Sequence, residues 1–516
     1  AGVNLSDSVL LTDSISKTAG VNLSESVSLA DSISASQVYS ESGVTWGVDR
    51  IFTLNSDQII GGPHINFPVL FTLDNDSSLK SSDVQDNGNP GGDIRFTSDG
   101  LTQLSYEIEY FNKADGDLIA WVKYPSLSSD ATNLLHLHYE ADQTISHDGV
   151  ILRDTWDDIY KSVLHLNQTS TSTKGAYADA SYNGTVTAND ADVKNEDNNF
   201  GTGGGLTASK APTATSVTEG RIGVAADFDG TDDFICIDTK DGDCVSDQNP
   251  LYDNEISKRT ISFWFSPETL PSGAAKGDVS VLYEEGGTVN GLNMYINGTK
   301  FFGGAWAGSY GWNGAWVTSS KSLEVDSWYF AAMVFDNPAS GDKTLKIYLD
   351  GELEGTISVE TNIAPNHTDD DGLGAVVSDS KVQTGTISGS GSDRTNHFDG
   401  KMDEFRVTDT ARDSDWLKTR YHSELGGSTF IFVDTIASQE TLGLTDSVTV
   451  TVTKPQAISE SISFTDSISK TSSVNLTESI SLADSISKTA DVNLSDTVLL
   501  TDSISKTAGV NLSDTV

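Results

Sequence analysis

Residues 3–20 read V-N-L-S-D-S-V-L-L-T-D-S-I-S-K-T-A-G, and nearly the same unit begins again at Val21, Val474, Val492 and Val510. Adjoining units are spaced by 18 residues, with a diverged unit before Val474. Self-similarity at one short period marks an array or solenoid. Within the first block Val3, Leu5, Val9, Leu11, Ile15, Ala19 and Val21 all fall on odd positions. In the last block Leu442, Ile462, Leu482, Val498 and Val516 keep one parity throughout. A helix would scramble such alternation within two turns, so the unit is β-structure. Because both ends of the sequence lie inside the same motif, the parent protein is expected to continue in both directions.

Asp7, Asp13, Glu25, Asp31, Asp484, Asp496 and Asp502 share the parity of the apolar residues. Two geometries are open. If each unit is one solenoid coil, coils stack about 4.8 Å apart. Asp7 then lies over Glu25 and Asp13 over Asp31, like charges that a bridging Ca²⁺ would relieve. Otherwise each acid sits at a corner, faces water and needs no metal. The glycine-rich nonapeptide of calcium β-rolls is absent. Asn4, Asn22, Asn475, Asn493 and Asn511 each open an N-x-(S/T) sequon on the outward parity, and Asn75, Asn167, Asn183, Asn297 and Asn366 add five more. They read as a glycosylated stalk or as a plain solvated face.

With 75 acidic against 31 basic residues the 516-residue chain carries a formal charge of −44. That balance excludes nucleic acid and anionic membrane surfaces as partners. No apolar run approaches the length needed to span a bilayer. Cys236 and Cys244 flank an Asp/Gly-containing turn, which suits either a hairpin disulfide or two free thiols.

Between Ser40 and about Tyr421 the composition changes: all nine tryptophans lie here, as a packed core requires. Runs such as L-S-Y-E-I-E-Y and L-I-A-W-V-K-Y are separated by turn clusters such as D-N-G-N-P-G-G, and helical periodicity is nearly absent. The class is all-β.

F-P-V-L-F-T-L (67–73), G-G-D-I-R-F-T-S-D-G (91–100), L-S-Y-E-I-E-Y-F-N (104–112), A-W-V-K-Y-P-S-L (120–127) and T-W-D-D-I-Y-K-S-V-L-H-L (155–166) follow in order. They resemble an uncharacterised β-domain family of prokaryotic surface proteins, often found just before a laminin-G-like jelly roll. A-D-F-D-G-T-D-D-F-I (226–235), I-S-F-W-F-S (261–266), W-Y-F-A-A-M-V-F-D (328–336), L-K-I-Y-L-D-G (345–351) and F-D-G-K-M-D-E-F-R-V (398–407) resemble that jelly roll, in the concanavalin A-like superfamily. In 261–266, Ile261, Phe263 and Phe265 point one way and the alternates the other, as facing sheets require. The expected organisation is repeats over 1–38, a first sandwich over 41–160, a jelly roll over 161–424, a connecting β-segment over 425–457, and repeats over 458–516. The fold is thus two adjacent β-sandwiches flanked by β-solenoid or β-strand repeats.

Some relatives on this fold are glycanases with paired carboxylates spaced E-x-D-x-x-E, but Asp403 and Glu404 are adjacent and are expected on opposite sides of a strand, so no catalysis is expected. Laminin-G-like domains often carry a rim Ca²⁺. By that resemblance Asp403 or Glu404 with Asp179 are candidate ligands, and Asp369, Asp370 and Asp371 form a second acidic loop. Trp306, Trp312 and Trp316 share parity, which places them on one face of a strand or hairpin as a sugar platform or as core. His136 and His138 share a strand face, but H-x-H alone lacks the further ligands of a zinc site. The reading is a non-catalytic, extracellular structural or adhesive surface protein resembling giant archaeal repeat proteins. It self-associates through its repeats or meets neighbouring surface proteins. The alternative is a carbohydrate-binding module on a repeat spacer.

Overall fold

In the computed structural model the flanking repeats are described as their paired strands. Between 40 and 433 every residue is described except 42, 86–90, 146–153, 168–176, 179–198, 201–211, 217–218, 238–256, 274–276, 360–370, 378, 390–393 and 427–428. The chain is all-β.

Each unit gives one short strand to each of two parallel sheets, except the unit at Val510, which adds a strand to the first sheet alone. The first sheet runs Ser8–Leu10, Ser26–Leu29, Ser438–Gly443, Ala457–Ser463, Asn475–Ser481, Asn493–Leu499, Asn511–Thr515. The second runs Ser503–Lys506, Asp484–Thr489, Asp466–Thr471, Asp446–Thr451, Asp13–Lys17, Ser32–Ala35. Identical residues align: Ile468 with Ile486 and Ile486 with Ile504, Leu476 with Leu494 and Leu494 with Leu512. The acids align too, Asp466 with Asp484 and Glu478 with Asp496. Ser438 aligns with Ile458 and Ile458 with Leu476, so the diverged coil is two residues longer and parity survives. The two arrays meet in both sheets, through different coils: in the first sheet Ser26 of the second unit aligns with Thr441, and in the second sheet Asp13 and Lys17 of the first unit align with Asp446 and Val450. Everything from Ser40 to Val433 therefore lies between N-terminal and C-terminal repeat strands that pair with each other.

The first sandwich pairs a three-stranded sheet (His64–Leu73, Asp117–Leu127, Tyr106–Asn112) with a second sheet built of Ile431–Val433, Val44–Leu54, Asn133–Ala141 and Arg95–Thr97. Phe52, Phe71, Phe96 and Tyr106 link ring to ring across its core at 4.8–5.3 Å. Each such buried ring stabilises by roughly 1.5–3 kcal/mol. The jelly roll faces a six-stranded sheet against a sheet centred on Asp399–Thr408, Lys258–Pro267 and Tyr329–Asp336. Ile261, Phe263 and Phe265 do point together into the core between them.

The two sandwiches are stitched together. Tyr160–Leu164 pairs with Asp399–Thr408 of the jelly roll, and Ile431–Val433, beyond the jelly roll, completes the first sandwich's sheet. Between them lies a helix, Ser414–Glu424, where helical periodicity is nearly absent from the sequence. Asp413 caps it by accepting from the Trp416 amide at 2.8 Å. Its buried positions include Thr419, Arg420, Ser423 and Glu424, so no apolar stripe announces it.

Candidate functional site

The helix and the stitched strands enclose a buried polar cluster between the sandwiches. Strand Tyr106–Asn112 supplies Glu107 and Glu109, the end of the stitching strand supplies His165, and strand Asp399–Thr408 supplies Asp403, Glu404 and Arg406. Asp403 and Glu404 do not face opposite sides as expected. A β-bulge falls here, with Glu404 at φ 54°, in the left-handed region. Met402 and Phe405 both point into the jelly-roll core, so the two acids between them turn the other way, and both are fully buried.

His165 Nδ1 lies 2.8 Å from Glu404 Oε1 and 3.5 Å from Glu109 Oε2. Trp121 Nε1 donates to Glu109 Oε2 at 2.8 Å, and Asn167 Nδ2 to its other oxygen at 3.3 Å. Arg406 donates to Glu404 Oε2 at 2.7 Å and to Glu424 Oε1 at 3.1 Å, with its guanidinium 4.0 Å from the Trp121 ring centroid and 4.5 Å from that of Trp156. Asp403 Oδ2 accepts from the Ile222 amide at 2.8 Å.

Burial, then the nearby Glu404 charge, pushes the Glu109 carboxyl up to about 8. The same two causes raise Asp403 well above the carboxylate range. Burial opposes charge on Glu404 as well, but His165 and Arg406 outweigh it and hold that carboxyl low. Burial likewise opposes charge on His165, yet Glu404, Glu107 and Glu109 raise it well above its ordinary value. His165 and Arg406 thus hold Glu404 ionised, while Glu109 and Asp403 carry protons. The arrangement ties the two domains together, and His165 Nε2 also lies 3.4 Å from Glu107 Oε2 at its edge.

Other sequence candidates fall elsewhere. Trp306 is fully buried and donates to the Gly287 carbonyl at 2.8 Å, and Trp312 packs in the inter-sheet core. Trp316 is half-buried on the sheet's outer face against Tyr295, Phe302 and the hairpin carrying Val382 and Ile387. The one-face expectation fails because the turn Gly308–Tyr310 and a register shift between Ala305 and Ala307 break the parity. Asp371 is buried and accepts from the Gly286 amide. Asn75 is exposed, Asn297 is half-buried, and Asn167 is committed to Glu109. In the repeat strands Asn493 aligns with Asn511. Asp13 and Asn475 also lie on repeat strands, and Cys236 aligns with Gly372. Asp7, Glu25, Asp31, Asp179, Asp369, Asp370, Asn4, Asn22, Asn183, Asn366 and Cys244 lie outside the described residues.

A second cluster was only half visible in H-x-H. Asp49 sits directly across from His138 on the neighbouring strand. Its Oδ1 is 3.0 Å from His136 Nδ1 and 3.6 Å from His138 Nδ1. Burial pulls His138 down to about 4 against the Asp49 charge, so its imidazole is neutral.

Residues 238–418 match the concanavalin A-like lectin/glucanases superfamily. Residues 90–170 match a domain of unknown function, DUF2341. No curated protein sequence matches the chain. Among solved structures the chain is similar to a carbohydrate-binding module of the Ruminococcus gnavus IT-sialidase bound to α2,3-sialyllactose, with 12% identity over 38% of this chain and 96% of that one (TM-score 0.28). It is also similar to domain 4 of an extracellular arabinanase from Geobacillus stearothermophilus in complex with arabinotriose, with 17% identity over 45% and 93% (TM-score 0.28). A botulinum neurotoxin serotype D binding domain is 14% identical over 53% of each chain (TM-score 0.33). Among the described residues no helix is long and apolar enough to cross a membrane.

Proposed function

We propose that this chain is a non-catalytic segment of a secreted cell-surface protein, in which a β-solenoid stalk displays the paired sandwiches for adhesion. The observation that carries this is the alignment of Asp13–Lys17 with Asp446–Val450. A head that leaves and rejoins one stack is held at both ends, as a side projection from a stalk. The 18-residue units, like those of giant archaeal surface proteins, extend or self-associate along the stack through open strand edges. Ca²⁺ bridges the aligned acids of successive coils, which otherwise repel at strand spacing.

Carbohydrate binding by the jelly roll is the second reading, favoured by the superfamily match over 238–418. Its binding surface excludes Trp306 and Trp312, which are buried, leaving Trp316 as the aromatic candidate. Incubating the chain with a polysaccharide panel tests both readings. Retention by a glycan without release of reducing ends selects the second, and no retention leaves the stalk display alone. Turnover that is lost in Asp403→Asn would overturn the non-catalytic reading.

A further inference from the structure

We propose that Asp49, His136 and His138 form a binding site for one divalent first-row transition-metal ion of the Zn²⁺ class on the outer face of the first sandwich. Three donor atoms from these residues lie within 4.8 Å of one another. Strand pairing fixes them: Asp49 is the cross-strand neighbour of His138, and His136 lies two residues along on the same face. Leu135, Leu137 and Tyr139 alternate with the histidines and pack in the core, which locks the strand's rotation. The separations from Asp49 Oδ1, 3.0 and 3.6 Å, bracket the roughly 3.3 Å between ligands of a tetrahedral ion with bonds of about 2.0 Å.

The far side of the site is also ordered. His138 Nε2 lies 3.0 Å from Thr97 Oγ1, the outer-shell contact that orients metal-binding imidazoles. A proton on Nε2 toward Thr97 directs the Nδ1 lone pair toward Asp49 and His136. The Asp49 and His136 side chains keep 11% and 9% exposure, which leaves an entry path and a fourth position for water. Two imidazoles with one carboxylate suit Zn²⁺, Co²⁺, Ni²⁺ or Fe²⁺ rather than Ca²⁺ or Mg²⁺, which take oxygen ligands. Binding displaces the proton that bridges His136 Nδ1 and Asp49.

The other clusters are less suited. Asp229, Asp232 and Asp233 are all carboxylates, and Asp229 and Asp233 accept from amides of their own turn. Glu109, His165 and Glu404 already have Arg406 against them.

The test is a Co²⁺ titration of the tag-free, EDTA-stripped full chain followed by visible absorption, with Zn²⁺ as competitor. One equivalent should develop the d–d bands of four- or five-coordinate Co²⁺. His136→Gln and Asp49→Asn should each weaken binding by at least about tenfold, while Glu109→Gln leaves it unchanged. Should a variant fail to fold, the wild-type chain decides: Zn²⁺ should protect His136 from diethyl pyrocarbonate, read by peptide mass spectrometry. Absent bands, bands unchanged in both folded variants, a loss seen in Glu109→Gln alone, or an unprotected His136 would each overturn the proposal.

Discussion

The repeats and the head are both all-β, yet they carry their charge in opposite ways. In the repeats identical residues align coil on coil, so acids form columns such as Asp466 with Asp484 at strand spacing. In the head the acids Glu109, Asp403 and Glu404 are gathered once, fully enclosed, and partnered by His165 and Arg406. A periodic stack repeats whatever its unit contains, favourable or not. An enclosed cluster forms only if every member finds its counter-charge or its proton. Charge on the repeats should therefore respond to ions in solution, whereas charge in the head should respond to single substitutions and to protons.

The largest expected effect is in the head. Arg406→Ala leaves buried Glu404 with His165 alone and Glu424 with Arg420 alone, and should cost about 3–5 kcal/mol. All nine tryptophans lie between Trp46 and Trp416, so tryptophan fluorescence during urea unfolding reads the head alone. A loss below about 1 kcal/mol would mean that the cluster is not as enclosed as described.

Next in size is the repeats' response to calcium, read by circular dichroism, which also sees the repeats. A cation held only by the folded state stabilises it by about 2.7 kcal/mol at a hundredfold excess over Kd. Ca²⁺ should therefore raise the repeat transition more than Mg²⁺ or Na⁺ at equal ionic strength, and coincident curves would reduce the acid columns to solubility alone.

The most gradual effect, small per pH unit, concerns pH. Glu109 is raised from its ordinary 4.5 to about 8, so the folded head holds a proton that the unfolded chain has released. That stability is fully present below 4.5 and lost as pH rises through 8. Glu109→Gln keeps the Trp121 bond but not the titration, and should flatten the decline by at most about 1.4 kcal/mol per pH unit. An unchanged slope in fluorescence-monitored melts would place the proton elsewhere.

How far these features could be read in advance follows from the same contrast. Period-two alternation needs no tertiary partner to be visible, so β-structure was legible in V-N-L-S-D-S-V and the inward trio Ile261, Phe263, Phe265 in I-S-F-W-F-S. The bulge at Glu404 was not, because M-D-E-F contains nothing that signals a left-handed residue. The helix escaped because Arg420 and Glu424 occupy buried positions where apolar residues would have marked it. Asp49 lies 87 residues before His136, so only strand pairing reveals the third donor beside H-x-H.

The central claim is that the N-terminal and C-terminal repeats pair with each other beside the head, and cross-linking tests it most directly. With Cys236 and Cys244 replaced by serine, the pair Ser14→Cys and Ser447→Cys places thiols at aligned positions of neighbouring strands. Strand spacing of about 4.8 Å lies within the Cα separation a disulfide accepts. Mild oxidation should give a monomeric species of altered mobility on a non-reducing gel, cleaved to one peptide pair containing both cysteines. The offset pair Ser14→Cys and Val448→Cys, which points the thiols to opposite faces, should give little. Only intermolecular dimers, or equal yields from both pairs, would contradict a stack shared by the two ends of the chain.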